Sequence, residues 1–238
     1  MLNYFYGGGI ELLLFIPAII LAVYAQFKVS GTFKKFSGVG NRRGITGAQT
    51  AQMLLDAAGV RDVAIERIHG SMTDHYDPRD KVLRLSDTVY ASASIAAVGV
   101  AAHETGHALQ HSDGYSPLAI RNSIVPAVNF GSRLATPMIF IGLLLTYWGG
   151  EIGITLASIG VLLFAGIVLF QLITLPVEFN ASSRAIELLE QNRVLSAEEL
   201  DPAKKVLNAA ALTYVAAAFM AIVNLLRMVL LVSRRRGD

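Results

Sequence analysis

Apolar and polar segments alternate along the chain, and this pattern predicts its main elements. Apolar runs extend from about residue 4 to 27, from 134 to 177 and from 206 to 226. A helix needs about 20 consecutive apolar residues to cross a bilayer, so the first run predicts one span. The second run is long enough for two spans, and Trp148-Gly149-Gly150 before its single charge, Glu151, predicts a tight turn at the membrane interface. The pattern therefore predicts a mainly α integral membrane protein with three or four transmembrane helices.

The last apolar run leaves two interpretations open. Residues 206–226 are uncharged, and Arg234-Arg235-Arg236 follow them. A complete span would carry these basic residues to the outer face, against the positive-inside rule. Alternatively, the Ala-rich first half packs into the polar part of the protein and only the remainder enters the membrane.

Residues 41–123 are more polar and predict a small α+β domain. Thr46 and Gln49 have the spacing of a capping box at the start of a short helix. Two β-favouring runs, 74–77 and 82–86, flank a four-residue turn that contains proline, which is typical of a β-hairpin. The other elements predicted for this domain are a strand within 60–68 and a buried, Ala-rich helix from about 94 to 112.

Composition and charge narrow the classes of function. Only 16% of the residues are charged and 53% are hydrophobic, whereas a soluble globular protein carries about 25% charged residues. The net charge of +2 gives no basis for nucleic-acid binding. The chain has no cysteine, which excludes disulfides and thiolate ligands, so a metal would have to be bound by His, Asp or Glu.

Basic residues directly after the first apolar run predict the orientation of the protein. Lys28, Lys34, Lys35, Arg42 and Arg43 occur there without an intervening acid. Short segments rich in Lys and Arg stay in the cytoplasm. We therefore expect a multi-pass protein of the cell membrane whose polar domain faces the cytoplasm.

The predicted 94–112 helix carries the sequence His103-Glu104-Thr105-Gly106-His107. Residues four apart lie on one face of a helix, so both imidazoles can bind the same Zn²⁺. Glu104 is rotated by about 100° and reaches the open side of such a site, where it can take a proton from water polarised by zinc. The alternative is a core helix without a metal, but this would bury three polar side chains among Ala and Val.

A catalytic zinc needs a third protein ligand, and the sequence offers several. His111 lies on the same helix face but about 12 Å from His103 along the axis, which is too far for one ion. His69 is predicted in a surface loop, and His75 in the hairpin could line a cleft. Glu178 follows Pro176 at the end of the second apolar run, where it is either a ligand or an acid in the first turn of a new helix.

Five motifs are distributed along the chain, at 102–110, 74–78, 85–86 with 89–90, 175–185 and 210–216. Together they resemble the YugP-type neutral zinc metallopeptidases of bacterial membranes. The similarity covers nearly the whole chain, and Glu178-Phe179-Asn180-Ala181 is more distantly similar to the Glu-x-x-Ala-Asp segment of HtpX-like and CAAX-prenyl endopeptidases. In those relatives this Glu is the third zinc ligand, so the resemblance implies the same role for Glu178.

The chain departs from these relatives at Ser182, which stands where they carry Asp. Ser182 or Asn180 could therefore give a zinc-binding histidine only a neutral hydrogen bond. Arg184 could support the site or form a surface pair with Glu187. Tyr214 could donate its hydroxyl to the oxyanion of a tetrahedral intermediate or serve only in packing.

Together, these features predict a membrane-embedded zinc endopeptidase with a zincin-like catalytic domain. One Zn²⁺ per chain would be bound by His103, His107 and Glu178, with Glu104 as the general base. Its partners would be the lipid bilayer and a protein or peptide substrate, which could itself be a membrane protein. Two alternatives are a membrane scaffold or assembly factor with a regulatory zinc site, and a zinc hydrolase that does not cleave peptides.

The sequence also predicts domain boundaries and a surface for the substrate. Relatives bind the substrate strand along an exposed sheet edge, and 82–86 is the candidate edge strand. A polar helix is predicted over Glu178–Gln191, followed by a loop that ends at Asp201-Pro202. The predicted segments are an N-terminal anchor at 1–27, the catalytic domain at 28–123, a transmembrane hairpin at 124–177, the third-ligand helix and loop at 178–205, and a C-terminal membrane-associated helix with a basic tail at 206–238.

Overall fold

The structure is a computed structural model that describes residues 2–147 and 151–236. The turn predicted at 148–150 lies outside these residues. The described part is mostly helical with one small sheet, as predicted. Its helices are α1 (Leu2–Ser37), α2 (Gly47–Ala57), α3 (Asp87–Tyr90), α4 (Ile95–Ser112), α5 (Ser116–Tyr147), α6 (Glu151–Gln191) and α7 (Ala197–Arg236), and its strands are β1 (Ala64–Ile68), β2 (His75–Asp77) and β3 (Val82–Ser86).

Within the residues that the structure describes, four helices are long and apolar enough to cross a membrane, judged by length and composition. They correspond to the apolar runs of the sequence, which confirms the prediction of several long apolar helices. The candidate spans are Phe15–Ser37 in α1, Ser116–Thr146 in α5, Glu151–Gln191 in α6 and Ala197–Arg234 in α7.

Two predicted boundaries in the second half of the chain are wrong. The helix expected to begin at Glu178 is the last part of α6, which continues through Pro176. The loop expected to end at Asp201-Pro202 ends earlier, because α7 begins at Ala197 and includes Pro202. Tertiary packing overrides the helix-breaking tendency of proline here. Around Pro202, Leu200 and Ala203 are both buried in the core.

The chain divides into two compact units. The first comprises Met1–Tyr24, Ile120–Thr174 and Tyr214–Asp238, and the second comprises Ala25–Ala119 and Leu175–Thr213. Within the first unit, α5 and α6 approach closely at small residues. A Cβ atom added at Gly142 would lie 2.4 Å from the backbone nitrogen of Ala157. Close packing at small residues is the usual way in which membrane helices associate.

The core of the second unit is formed by α2, α4, α6 and α7. Leu54, Val98, Leu189 and Leu207, one from each of these helices, belong to one buried cluster. The first turns of α7 are therefore part of this unit, as one of the two interpretations of the last apolar run expected.

The sheet of the second unit has the strand order β1-β3-β2. The predicted hairpin is confirmed, with β2 antiparallel to β3, and β1 pairs with β3 in parallel. The expectation that 82–86 is an exposed edge is wrong, since β3 is paired on both sides. Its residues Val82, Leu83 and Leu85 are buried, and a strand with several large apolar residues in succession is typical of the centre of a sheet.

The helix α4 positions the predicted zinc-binding residues, and its ends agree with the sequence analysis. Ser94 caps its N-terminus by accepting a hydrogen bond from the backbone of Ala97. The chain leaves the helix at Gly114, which has a φ of 64°. In the middle of α4, a Cβ atom added at Gly106 would lie 2.6 Å from the carbonyl oxygen of Ala181 on α6. The glycine thus allows α4 and α6 to pack closely enough for their side chains to meet.

Candidate metal centre

Two histidines of α4 and one glutamate of α6 converge in the second unit. Glu178 Oε2 lies 3.3 Å from His103 Nε2 and 3.5 Å from His107 Nε2. One donor atom from each of the three residues lies within 4.8 Å of the others. The Glu178 side chain is only 4% exposed, and those of His103 and His107 are 14% and 12% exposed. The cluster is therefore largely shielded from water, and a small part of each imidazole remains exposed.

The spacing of these atoms fits a zinc ion. With zinc–ligand bonds of 2.0–2.1 Å, two ligands of a tetrahedral site are separated by about 3.3–3.4 Å. The separations from Glu178 Oε2 to the two imidazole nitrogens are close to this value. Two imidazoles and one carboxylate also form a donor set of the kind that catalytic zinc sites use.

The other ring nitrogen of His103 is held by α6. Ser182 Oγ lies 3.1 Å from His103 Nδ1. This is the neutral contact that the sequence analysis considered at the position where relatives carry Asp. A contact at Nδ1 orients the ring and directs Nε2 towards Glu178.

Gln110 contacts the Nδ1 atom of His107, as Ser182 contacts that of His103. The sequence analysis gave Gln110 no role. Its side chain is fully buried, and Gln110 Oε1 lies 3.0 Å from His107 Nδ1. Gln110 Nε2 donates to the Val177 carbonyl at 2.8 Å and to Asn180 Oδ1 at 2.9 Å. Because these two acceptors fix the amide nitrogen, Oε1 must face His107 and accept the Nδ1–H proton. This tautomer leaves the lone pair of His107 Nε2 available for a metal.

Arg184 contacts Asn180, the residue that accepts a hydrogen bond from Gln110. Its Nε donates to Asn180 Oδ1 at 3.0 Å, and its guanidinium forms an ion pair with Asp113 at the end of α4. The guanidinium also lies 5.9 Å from the centre of the Tyr115 ring. Arg184 is thus linked to His107 through Asn180 and Gln110. The described ion pairs include Arg184 with Asp113 and not the alternative pair with Glu187.

Glu104 is buried beside the two histidines. Burial opposes a positive charge on His107, but the carboxylates of Glu178 and Glu104 outweigh it and raise the pKa of His107. The same negative field favours a bound divalent cation. It also makes protons compete with a metal for His107.

The histidines outside the cluster have other partners. Tyr76 Oη contacts His111 Nδ1 on α4 at 2.9 Å. Neighbouring strand residues point to opposite faces, so His75 points away from α4, and its Nδ1 contacts the Thr73 carbonyl at 2.9 Å. His69 is exposed and contacts Asp87. Tyr214 is the first residue that α7 contributes to the first unit, and its role stays a prediction.

We predict that Gln110→Met weakens zinc binding about 10- to 100-fold, the usual effect of losing a group that orients a metal ligand. Methionine preserves the length of the side chain but cannot accept the His107 Nδ1–H bond. Competition with a chromophoric chelator would measure the change in zinc affinity. Gln52→Met is the matched control, because Gln52 is exposed on α2 and contacts only Asp56 in the described hydrogen bonds. An unchanged affinity in Gln110→Met would show that His107 does not depend on this contact.

Comparison with known proteins supports a zinc-dependent activity. Residues 11–233 match the family Zn_peptidase_2, described as "Putative neutral zinc metallopeptidase". The chain is 47% identical over 224 residues to the "Putative membrane protease YugP" of Bacillus subtilis strain 168. That alignment covers 94% of this chain and 96% of the relative. No solved structure matches the chain at a significant level.

Proposed function

The chain belongs to the family of neutral zinc metallopeptidases, and on this premise we propose that it is a membrane-embedded zinc endopeptidase whose metal is bound by His103, His107 and Glu178. The observation that carries the proposal is the convergence of two Nε2 atoms and one carboxylate oxygen in a nearly closed cluster. One zinc ion per chain would satisfy this donor set. When bound, zinc supplies a Lewis acid that polarises the scissile carbonyl and lowers the pKa of water.

In this proposal Glu104 moves the protons. Its carboxylate accepts a proton from the attacking water as the new C–O bond forms, and then donates it to the leaving nitrogen as the C–N bond breaks. Burial of Glu104 supports this role, because a carboxylate in a nearly dry site acts on a substrate without competing bulk water. Ser182 and Gln110 keep the two imidazoles oriented throughout the cycle.

The open edge of β2 is the surface that we propose for the substrate strand. β3 is paired on both sides, so the free edges of the sheet belong to β1 and β2. Tyr76 of β2 contacts His111, one helical turn beyond His107 on α4. A peptide paired with the outer edge of β2 would follow the same helix towards the two zinc-binding histidines.

Glu104 favours an enzyme over a scaffold with a regulatory zinc site, because its carboxylate can transfer protons during catalysis. A structural or regulatory site needs only the ligands, yet Glu104 is buried directly beside them. The test of the proposal compares the peptide products in membranes that contain the wild type with those in membranes that contain Glu104→Gln. A set of peptides cleaved only by the wild type is the expected result.

We further propose that the site faces the cytoplasm, because Lys28, Lys34, Lys35, Arg42 and Arg43 follow the first apolar run without an intervening acid. Exposed Ser71 and Ser112 lie in the same compact unit as the candidate site. In this cysteine-free chain, we expect cysteines at either position to resist membrane-impermeant thiol reagents in intact cells and to react after permeabilisation. Labelling of both before permeabilisation would reverse the proposed topology. Gly150→Cys, in the link predicted to lie outside, is the positive control.

A further inference from the structure

A cavity of about 520 Å³ lies between α1 and the first half of α7, in the second compact unit. On α1 it is lined by Lys28, Gly31 and Lys35, which recur every three or four residues and therefore share one face. On α7 it is lined by Lys205, Asn208 and others at the same spacing. The cavity is thus a cleft between two helix faces.

The polar side of this cleft is positively charged. Three lysines from two different helices line it, and none of the described lining residues is acidic. Lys205 forms an ion pair with Asp201 one turn earlier on α7. With three ammonium groups and no carboxylate among its described lining residues, the cleft is suited to an anion.

The apolar side of the cleft points to a ligand that also has a hydrophobic part. Phe27 and Leu212 line it together with the lysines. Phe27 is the last residue of the first apolar run, and its side chain is 76% exposed. Leu212 lies within the apolar run of α7. An exposed aromatic residue beside a basic cleft, at the end of an apolar run, is the arrangement that a bound lipid would cover.

From these features we propose that the cleft between α1 and α7 is a binding site for an anionic phospholipid, with the headgroup phosphate between Lys28, Lys35 and Lys205 and an acyl chain beside Phe27 and Leu212. This site is separate from the proposed metal site and does not depend on it. The positive-inside rule accounts for lysines that flank an apolar run, as Lys28 and Lys205 do. It does not account for the convergence of lysines from two helices on one cavity.

The first test removes the positive charge of the three lysines that line the cleft. Native mass spectrometry of the full, delipidated chain in detergent would measure binding of dioleoylphosphatidylglycerol and dioleoylphosphatidylcholine. We expect the wild type to bind the anionic lipid at least tenfold more tightly than the zwitterionic one. Combined Lys28→Gln, Lys35→Gln and Lys205→Gln should remove this preference. The matched control combines Lys34→Gln, Arg79→Gln and Lys204→Gln. It loses the same amount of charge outside the cleft and should keep the preference for the anionic lipid.

The second test fills the cleft without changing its charge. A Cβ atom added at Gly31 meets no atom within 4 Å, so Gly31→Leu can be accommodated by the fold while its side chain occupies the cavity. We expect Gly31→Leu to lower binding of the anionic lipid at least tenfold and the smaller Gly31→Ala to leave most of it. Circular dichroism would verify that each variant is folded.

Three results would overturn the proposal. Equal losses in the two triple variants would mean a diffuse attraction to the basic surface. Unchanged binding in Gly31→Leu would move the ligand out of the cleft. Displacement of the lipid by millimolar inorganic phosphate would identify a site for the free anion.

Discussion

Glu104→Gln is expected to abolish peptide hydrolysis while the protein remains folded and keeps its zinc. Glutamine has the shape of glutamate and can still form hydrogen bonds, but it cannot accept a proton from the attacking water. Loss of general acid–base catalysis typically costs 10²- to 10⁴-fold in rate. Because both proton transfers depend on Glu104 in the proposed mechanism, we expect a loss of about 10³-fold or more.

Two measurements on the same samples would check this prediction. Metal analysis should give equal zinc in the wild type and in Glu104→Gln, and quantitative proteomics of the membranes should show products only with the wild type. Glu187→Gln is the matched control, since it removes one exposed carboxylate of α6 that contacts Gln191 rather than the cluster. Activity near the wild-type level in Glu104→Gln would mean that another residue is the base.

The same experiment separates the proposed peptidase from its rivals. A scaffold with a regulatory zinc site would yield no products that depend on Glu104, although its partners would still co-purify. A zinc hydrolase that does not act on peptides would show a loss of small-molecule turnover without any change in peptide products. A peptidase should instead retain intact substrates on the inactive Glu104→Gln variant.

The local elements of the fold could be predicted because the residues that determine each of them lie close together in the sequence. The capping box of α2 is formed as the spacing of Thr46 and Gln49 indicates. The hairpin of β2 and β3 likewise follows from two short β-favouring runs around a turn. The position of β3 in the sheet could not be obtained in this way. It depends on pairing with β1, a contact between segments separated by the whole hairpin.

The proposed ligands were predictable, but most of their supporting contacts were not. His103 and His107 share one helix face by their spacing alone. Glu178 required the resemblance to known peptidases. The role of Gln110 depends on the way in which α4 crosses α6, since its amide contacts Val177 and Asn180 more than 60 residues later in the chain. A signal was nevertheless present, because Gln110 is three residues after His107 on the same helix, within reach of its ring.

The continuity of α6 changes the interpretation of Glu178. The sequence allowed this residue to be an acid in the first turn of a new helix, where the helix dipole would stabilise its charge. In the structure, α6 begins at Glu151, far from Glu178, so the dipole at its N-terminus does not explain a carboxylate there. A buried carboxylate in the middle of a helix needs another source of stabilisation. The two imidazole nitrogens beside it, and a cation between them, would provide it.

Glu178→Ala should therefore remove both zinc and activity. The change deletes one of three protein donors and the only carboxylate of the described cluster, and two histidines alone should bind zinc weakly. We expect about one zinc per chain in the wild type after zinc-replete expression and detergent purification, and less than about a tenth of that in the variant. The far-ultraviolet circular dichroism should remain unchanged, because the helix contacts around Ala181 and Gly106 do not involve this carboxylate.

His75→Ala is the paired control for Glu178→Ala, because His75 was the other credible third ligand in the sequence. Its side chain points away from α4 and contacts the Thr73 carbonyl, so its removal should leave bound zinc at the wild-type level. Retention of zinc in Glu178→Ala together with its loss in His75→Ala would move the third ligand onto the hairpin. Loss of zinc in both variants would mean that the hairpin stabilises the metal site without supplying a ligand. Loss of zinc in Glu178→Ala alone is the result that we expect from the short distances between Glu178 Oε2 and the Nε2 atoms of both histidines.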